Sequence, residues 1–245
     1  VMDDGTTTRI SENHYHMTTT TAQAANVLSH LEYYLQIVWP ELDVNVVSTT
    51  EQWAGAAIAG PKSRNVLQKL FPEIDTSNEG LPFMGFLEGT LFGVYARIFR
   101  ISFSGELAYE VNVESNNGNF MWEKIMEAGK EFNIDAYGTE ALSTLRIEMG
   151  HVAGSELDGR TIPYDNSLEG MVSKKKDFIG KRSLNRTAFI AQDRQKVVGV
   201  VPIDRKTSIP EGSHLVKDAY AKLPNPKLGY ISASCWSVEY DNPFS

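Results

Sequence analysis

The spacing of apolar positions changes early in the chain. From Arg9 to Thr20 it reads as a turn, a strand and a polar corner. From there Ala24, Val27, Leu28, Leu31, Tyr34, Leu35 and Val38 recur at steps of three and four, which predicts a helix with one apolar face. The run Thr18-Thr19-Thr20-Thr21 offers hydroxyls for its N-cap, and Pro40, lacking an N–H, stops it. A short strand is predicted over Ala54 to Ala59, leading through Gly60-Pro61 into a helix that carries Val66, Leu67 and Leu70 and closes at Pro72. The clearest signal is a hairpin: Tyr95 to Phe103, a Ser104-Gly105 turn, then Glu106 to Val113. On its second strand Leu107, Tyr109, Val111 and Val113 face one way, and Ala108, Glu110 and Asn112 the other.

A further helix has Asn117 or Asn119 as cap and Met121, Ile125, Ala128 and Phe132 on its core face. Another spans about Thr139 to Met149 and ends at Gly150, the residue type that terminates helices in the left-handed region. Asp177 to Arg186 is a short connecting segment. Beyond it Val197 to Val201, the Pro210-Glu211-Gly212 turn and Leu228 to Ser234 read as strands joined by turns. The pattern predicts an α+β chain of antiparallel sheets and packed helices over residues 1–190. A small β-barrel-like module follows over 191–245. The chain enters structure at Val1 without a methionine and stops at Asn242-Pro243-Phe244-Ser245. It is therefore expected to be truncated at both ends, with each module incomplete.

Composition narrows the function classes. The 245 residues are 42% hydrophobic and 22% charged, ordinary for a globular protein. A net charge of −8, with no basic block longer than Lys174-Lys175-Lys176, argues against a nucleic-acid partner. No apolar run approaches the roughly 20 residues of a membrane helix, so no membrane partner is expected. Cys235 is the single cysteine, which excludes an intrachain disulfide and fits the cytoplasm. His14 and His16 share a strand face, but nothing completes a metal-site spacing, and no metal is expected.

The sequence has no G-x-G-x-x-G, Walker loop, G-x-S-x-G or H-E-x-x-H. Redox chemistry needs a cofactor, and no dinucleotide fingerprint is present to hold one. Carboxylates remain. Asp3-Asp4 beside Gly5 reads from spacing as an Asp-capped turn, or as a pair with one acid inward. Glu110 reads as a solvated strand residue, or as an acceptor for two N–H groups of an aminopyrimidine edge. Arg146 and Glu148 read as a surface charge pair.

Taken in order, several motifs resemble the aminomethyltransferase family, which includes the glycine-cleavage T-protein. They are Val1-Met2-Asp3-Asp4-Gly5-Thr6-Thr7-Thr8, Phe103-Ser104-Gly105-Glu106-Leu107-Ala108-Tyr109-Glu110, Leu145-Arg146-Ile147-Glu148-Met149-Gly150, Phe178-Ile179-Gly180-Lys181-Arg182-Ser183-Leu184 and Ser232-Ala233-Ser234-Cys235-Trp236-Ser237. The threonine run after His16-Met17, Glu51-Gln52-Trp53, the stretch Arg97 to Glu106 and the stretch Val172 to Gly180 resemble the branch found in alpha subunits of heterotetrameric sarcosine oxidases.

The resemblance implies an aminomethyltransferase-like folate-binding fold with tetrahydrofolate as ligand. It implies that Asp4 is the catalytic acid and Glu110 the acid that holds the pterin. Phe103 and Tyr109 are aromatic candidates for lining the pocket, and either is equally a core residue. Thr20 falls where T-proteins carry a folate-contacting Asn, and Leu142 where they carry an Arg. Both departures argue against work with a lipoylated carrier. The implied partners are the other oxidase subunits. Flavin and NAD would lie in those partners or outside this chain. The implied activity is capture, by tetrahydrofolate, of the imine made from sarcosine. The alternatives are a stand-alone T-protein-like transferase or folate-dependent demethylase, and a non-catalytic folate-binding assembly factor.

Overall fold

The computed structural model describes residues 1–157 and 159–245. They form two compact units, one of Gly5–Leu142 and one of Val1–Asp4 with Ser143–Ser245. The boundary expected near residue 190 falls inside the second.

The first unit opens with an antiparallel hairpin, β1 (Thr7–Ser11) and β2 (His14–Met17), two strands where the spacing suggested one. Gly5 precedes it at a point where a Cβ would stand 2.0 Å from the Thr18 carbonyl oxygen. Only glycine lets the chain pass there. The hairpin is then closed by the Thr18 N–H donating to the Thr6 carbonyl at 2.8 Å. Helix α1 (Ala24–Tyr33) runs into a π-helical turn over Tyr34–Val38 and ends before Pro40. The threonines do not cap it: the chain enters through a 3₁₀ turn at Thr21–Gln23, and Thr20 makes no side-chain cap bond. No residue of α1 is fully buried.

The core lies under a four-stranded antiparallel sheet of β3 (Trp53–Ala59), β4 (Phe86–Leu91), β5 (Val94–Phe99) and β6 (Ala108–Glu114), ordered β3-β6-β5-β4. The register Ala96↔Val113 and Phe99↔Glu110 is the one a Ser104-Gly105 turn dictates. The regular ladder nevertheless stops there, and residues 100–107 form an open loop. Strand alternation turns Tyr109, Val111 and Val113 inward, each at 0% exposure. Helices α2 (Ser63–Leu70) and α3 (Gly118–Gly129) cover that face with Val66, Leu67, Leu70, Met121, Ile125 and Ala128. Full burial of a side chain such as Leu67 contributes about 1.5–3 kcal/mol. Asn117 is the N-cap residue of α3 but makes no side-chain cap bond.

Helix α4 (Thr139–Glu148) ends in a left-handed stop at Gly150, φ 73°. The Gly150 N–H donates to the Ile147 carbonyl at 3.0 Å and the His151 N–H to the Arg146 carbonyl at 2.8 Å. This is the paired bonding of a Schellman motif.

The second unit is built largely of turns. Its strands make two separate two-stranded antiparallel sheets, β7 (His214–Val216) with β8 (Lys227–Tyr230) and β9 (Cys235–Ser237) with β10 (Asn242–Phe244). Val197–Val201 is not a strand; Val200 instead exchanges two backbone bonds with Ser245, at 2.7 and 3.0 Å. The strand expected over Leu228–Ser234 ends at Tyr230. No closed barrel is seen among the described residues. No helix among them is long and apolar enough to cross a membrane.

Candidate functional site

Asp4 lies on an irregular stretch, its side chain 40% exposed, with Oδ2 3.3 Å from Nε2 of His151. His151 is delivered to that point by the end of α4. Besides accepting the His151 N–H on its carbonyl, Arg146 donates from Nη1 to the His151 carbonyl at 3.3 Å and to Glu156 Oε2 at 3.0 Å. Glu156 Oε2 also accepts the Ala153 N–H, and Oε1 the Ser155 hydroxyl, both at 2.9 Å. Burial works to raise the Glu156 carboxyl. The Ala153 N–H, Ser232, Ser155 and the Arg146 charge outweigh it and hold the group below its ordinary range. Arg146 is therefore not half of a surface pair with Glu148, as its spacing had suggested. It is partnered by a buried acid further along. His151 was not singled out as a site residue. The one signal for it was its position after the helix-ending glycine.

Glu110 stands on the sheet face opposite the core. Its cross-strand neighbours are Phe99 on β5 and Ala57 on β3, one aromatic and one small side chain on the same face. Among the described residues its carboxylate makes no hydrogen bond or ion pair, and burial pushes it above the ordinary carboxylate range. Tyr137 is near enough for the Glu110 charge to add to burial in raising its phenol. Phe99 is stacked by His16, ring centroids 5.9 Å apart. The His16 imidazole is pushed down by burial, then by Arg97 and His14. Arg97 in turn lies over the Trp53 ring at 4.2 Å.

The remaining expected residues divide. Tyr109 is core, not pocket lining: its ring is wholly buried and faces away from Glu110, with the Arg64 guanidinium 5.9 Å from its centroid. Phe103 is 38% exposed on the open 100–107 loop, and Thr20 is exposed before α1. That loop also holds buried hydroxyls, Ser102 and Ser104, without a partner among the described residues. A cavity of about 660 Å³ is lined by β3, the first part of α2, α3 and the 132–142 segment, Tyr137 and Ala57 included. Glu110 borders it through those two neighbours but is not itself in its lining.

An acid without partners among the described residues, held half-buried beside aromatic rings, has the donor-seeking character that a pterin edge satisfies. Unpartnered hydroxyls on the neighbouring loop have the same need. The residues present thus fit a reduced folate.

The GCVT N-terminal domain family matches residues 1–176. The chain belongs to that family. Within it, the chain is 49% identical over 241 residues to the sarcosine oxidase subunit alpha of Rhizobium meliloti (strain 1021), covering 97% of this chain and 24% of that protein. It is 46% identical over 238 residues to the sarcosine oxidase subunit alpha of Corynebacterium sp. (strain P-1), covering 96% and 25%. The chain thus spans about a quarter of the length of these relatives. The crystal structure of the glycine cleavage system aminomethyltransferase T from Bartonella henselae superimposes with a TM-score of 0.81 at 22% identity, over 100% of this chain and 63% of that one. This likeness shows that the GCVT chain has the aminomethyltransferase fold.

Proposed function

We propose that this chain is the folate-binding, one-carbon-transfer segment of the alpha subunit of a heterotetrameric, cytoplasmic sarcosine oxidase. Sarcosine is oxidised to an imine at a flavin held elsewhere in the complex, and NAD likewise belongs outside this chain. The imine carbon is passed to tetrahydrofolate here, giving 5,10-methylenetetrahydrofolate and glycine. The observation that carries this reading is the similarity to two sarcosine oxidase alpha subunits across at least 96% of the chain.

Tetrahydrofolate, when bound, supplies the two nitrogens that accept the carbon. The residues of this chain bind and move protons around it. Glu110 accepts the 2-amino and N3–H donors of the pterin, a donor pair that suits one carboxylate. Phe103 packs against the ring system, and Thr20 contacts the folate from the entry to α1. Asp4 accepts a proton released at the folate nitrogens and returns it to the departing amine, so that glycine leaves protonated. Its ionised form also favours the cationic, iminium form of the incoming imine. Proximity of folate and imine provides much of the rate.

The test is Asp4→Ala in the full-length, assembled enzyme. The carbon of oxidised sarcosine is followed into 5,10-methylenetetrahydrofolate and into free formaldehyde. The proposal expects the balance to move to formaldehyde. An undiminished methylenetetrahydrofolate share would overturn the role of Asp4.

A further inference from the structure

A catalytic carboxylate must be oriented as well as present. The stretch that carries Asp4 has no regular secondary structure to set its rotamer. An aspartate side chain there has two soft torsions. His151 stands against it, with Nε2 3.3 Å from Asp4 Oδ2. We infer that His151 is a positioning residue that fixes the Asp4 carboxylate for one-carbon transfer. This inference rests on the assignment of Asp4 as the acid of the proposed reaction.

His151 is itself held through its backbone. Its N–H and its carbonyl are both bonded to one residue, Arg146, at 2.8 Å through the Arg146 carbonyl and at 3.3 Å through the guanidinium. Arg146 is anchored in turn by Glu156, whose side chain is 3% exposed. Gly150, at φ 73°, makes the helix end that presents the histidine. The line runs from a buried acid to an arginine, to a clamped histidine backbone, to the imidazole and then to the Asp4 carboxylate. Such a brace has the rigidity that a misplacement-sensitive reaction needs.

The experiment uses the full-length, assembled enzyme with tetrahydrofolate and sarcosine. Methylene transfer per sarcosine oxidised is measured together with the KM for tetrahydrofolate in His151→Ala, His151→Asn, His151→Gln and Asp4→Ala. Glutamine can place an amide nitrogen near the position of Nε2, whereas asparagine is too short to do so. Transfer should fall about tenfold or more in the alanine and asparagine variants, in the manner of a misaligned catalytic group. The KM should stay within about twofold, and most of the loss should be recovered in His151→Gln. Transfer at the parental level in His151→Ala or His151→Asn would overturn the inference. So would a loss carried by KM, or a glutamine variant no better than alanine. Should His151→Ala fail to fold, the asparagine and glutamine pair decides alone. A normal Asp4→Ala enzyme would instead show that the underlying assignment of Asp4 is wrong.

Discussion

Arg146 Nη1 lies 3.0 Å from Glu156 Oε2, with the two side chains only 12% and 3% exposed. The pair joins the end of α4 to the turn after it, and the residue it braces is His151. A charge pair this buried costs desolvation when it forms, so its removal is felt mainly through the partner left behind.

Glu156→Ala should therefore destabilise the protein by about 3–5 kcal/mol, because it strands the Arg146 guanidinium and the Ala153 N–H. Urea unfolding measures this. A change within about 0.5 kcal/mol, the scale of ordinary surface substitutions, would contradict the buried-pair account.

The same pair predicts acid sensitivity. The Glu156 carboxyl is held below its ordinary value of 4.5 in the folded protein. At mildly acid pH the unfolded chain therefore binds more protons than the folded one. The stabilisation is complete above 4.5 and is lost as pH falls through the lower, folded-state value. Thermal melts across that range should show a pH-dependent loss that is reduced in Glu156→Gln.

Glu110 has the opposite sign. Burial raises its carboxyl above 4.5, so the folded state holds its proton longer than the unfolded state does. The cost of ionising it appears as pH rises through that window and persists at neutral pH. Glu110→Gln should raise Tm at neutral pH while abolishing folate binding. A lowered Tm would show that the ionised carboxylate has stabilising partners in the fold.

Gly5→Ala should cost about 1–3 kcal/mol, the range for forcing atoms into a packed site, because the new Cβ meets the Thr18 carbonyl oxygen. Gly170→Ala, where a Cβ meets nothing within 4 Å, serves as the matched comparison. Equal Tm values for the two variants would contradict the close approach at Gly5.

Much of the sheet and helix layer was readable because periodicity records burial. The steps of three and four in α2 and α3, and the alternation along β6, correspond to side chains that are buried in the fold. Strand β4 went unread because its turn into β5 is Phe92-Gly93, both at positive φ, and phenylalanine does not advertise such a turn. Val197–Val201 misled in the other direction. Its valines favour a strand by composition, yet Val198 is 65% exposed and the segment joins no ladder. The threonine run set an extended entry to α1 and not a hydroxyl cap.

Legibility of the site follows the same division. Glu110 could be placed on its face from alternation alone, and that alternation equally commits Tyr109 to the core. His151 and Glu156 were hidden because their roles depend on contacts between separate segments, with Asp4 in one case and Arg146 in the other. Local pattern carries no record of such contacts.

The most direct test of folate binding is calorimetric titration of the full-length subunit with folinic acid, a stable reduced folate, in parallel with Glu110→Ala. Saturable binding by the parent that is lost in the variant is the predicted result. No binding by the parent, or equal binding by both proteins, would contradict the account.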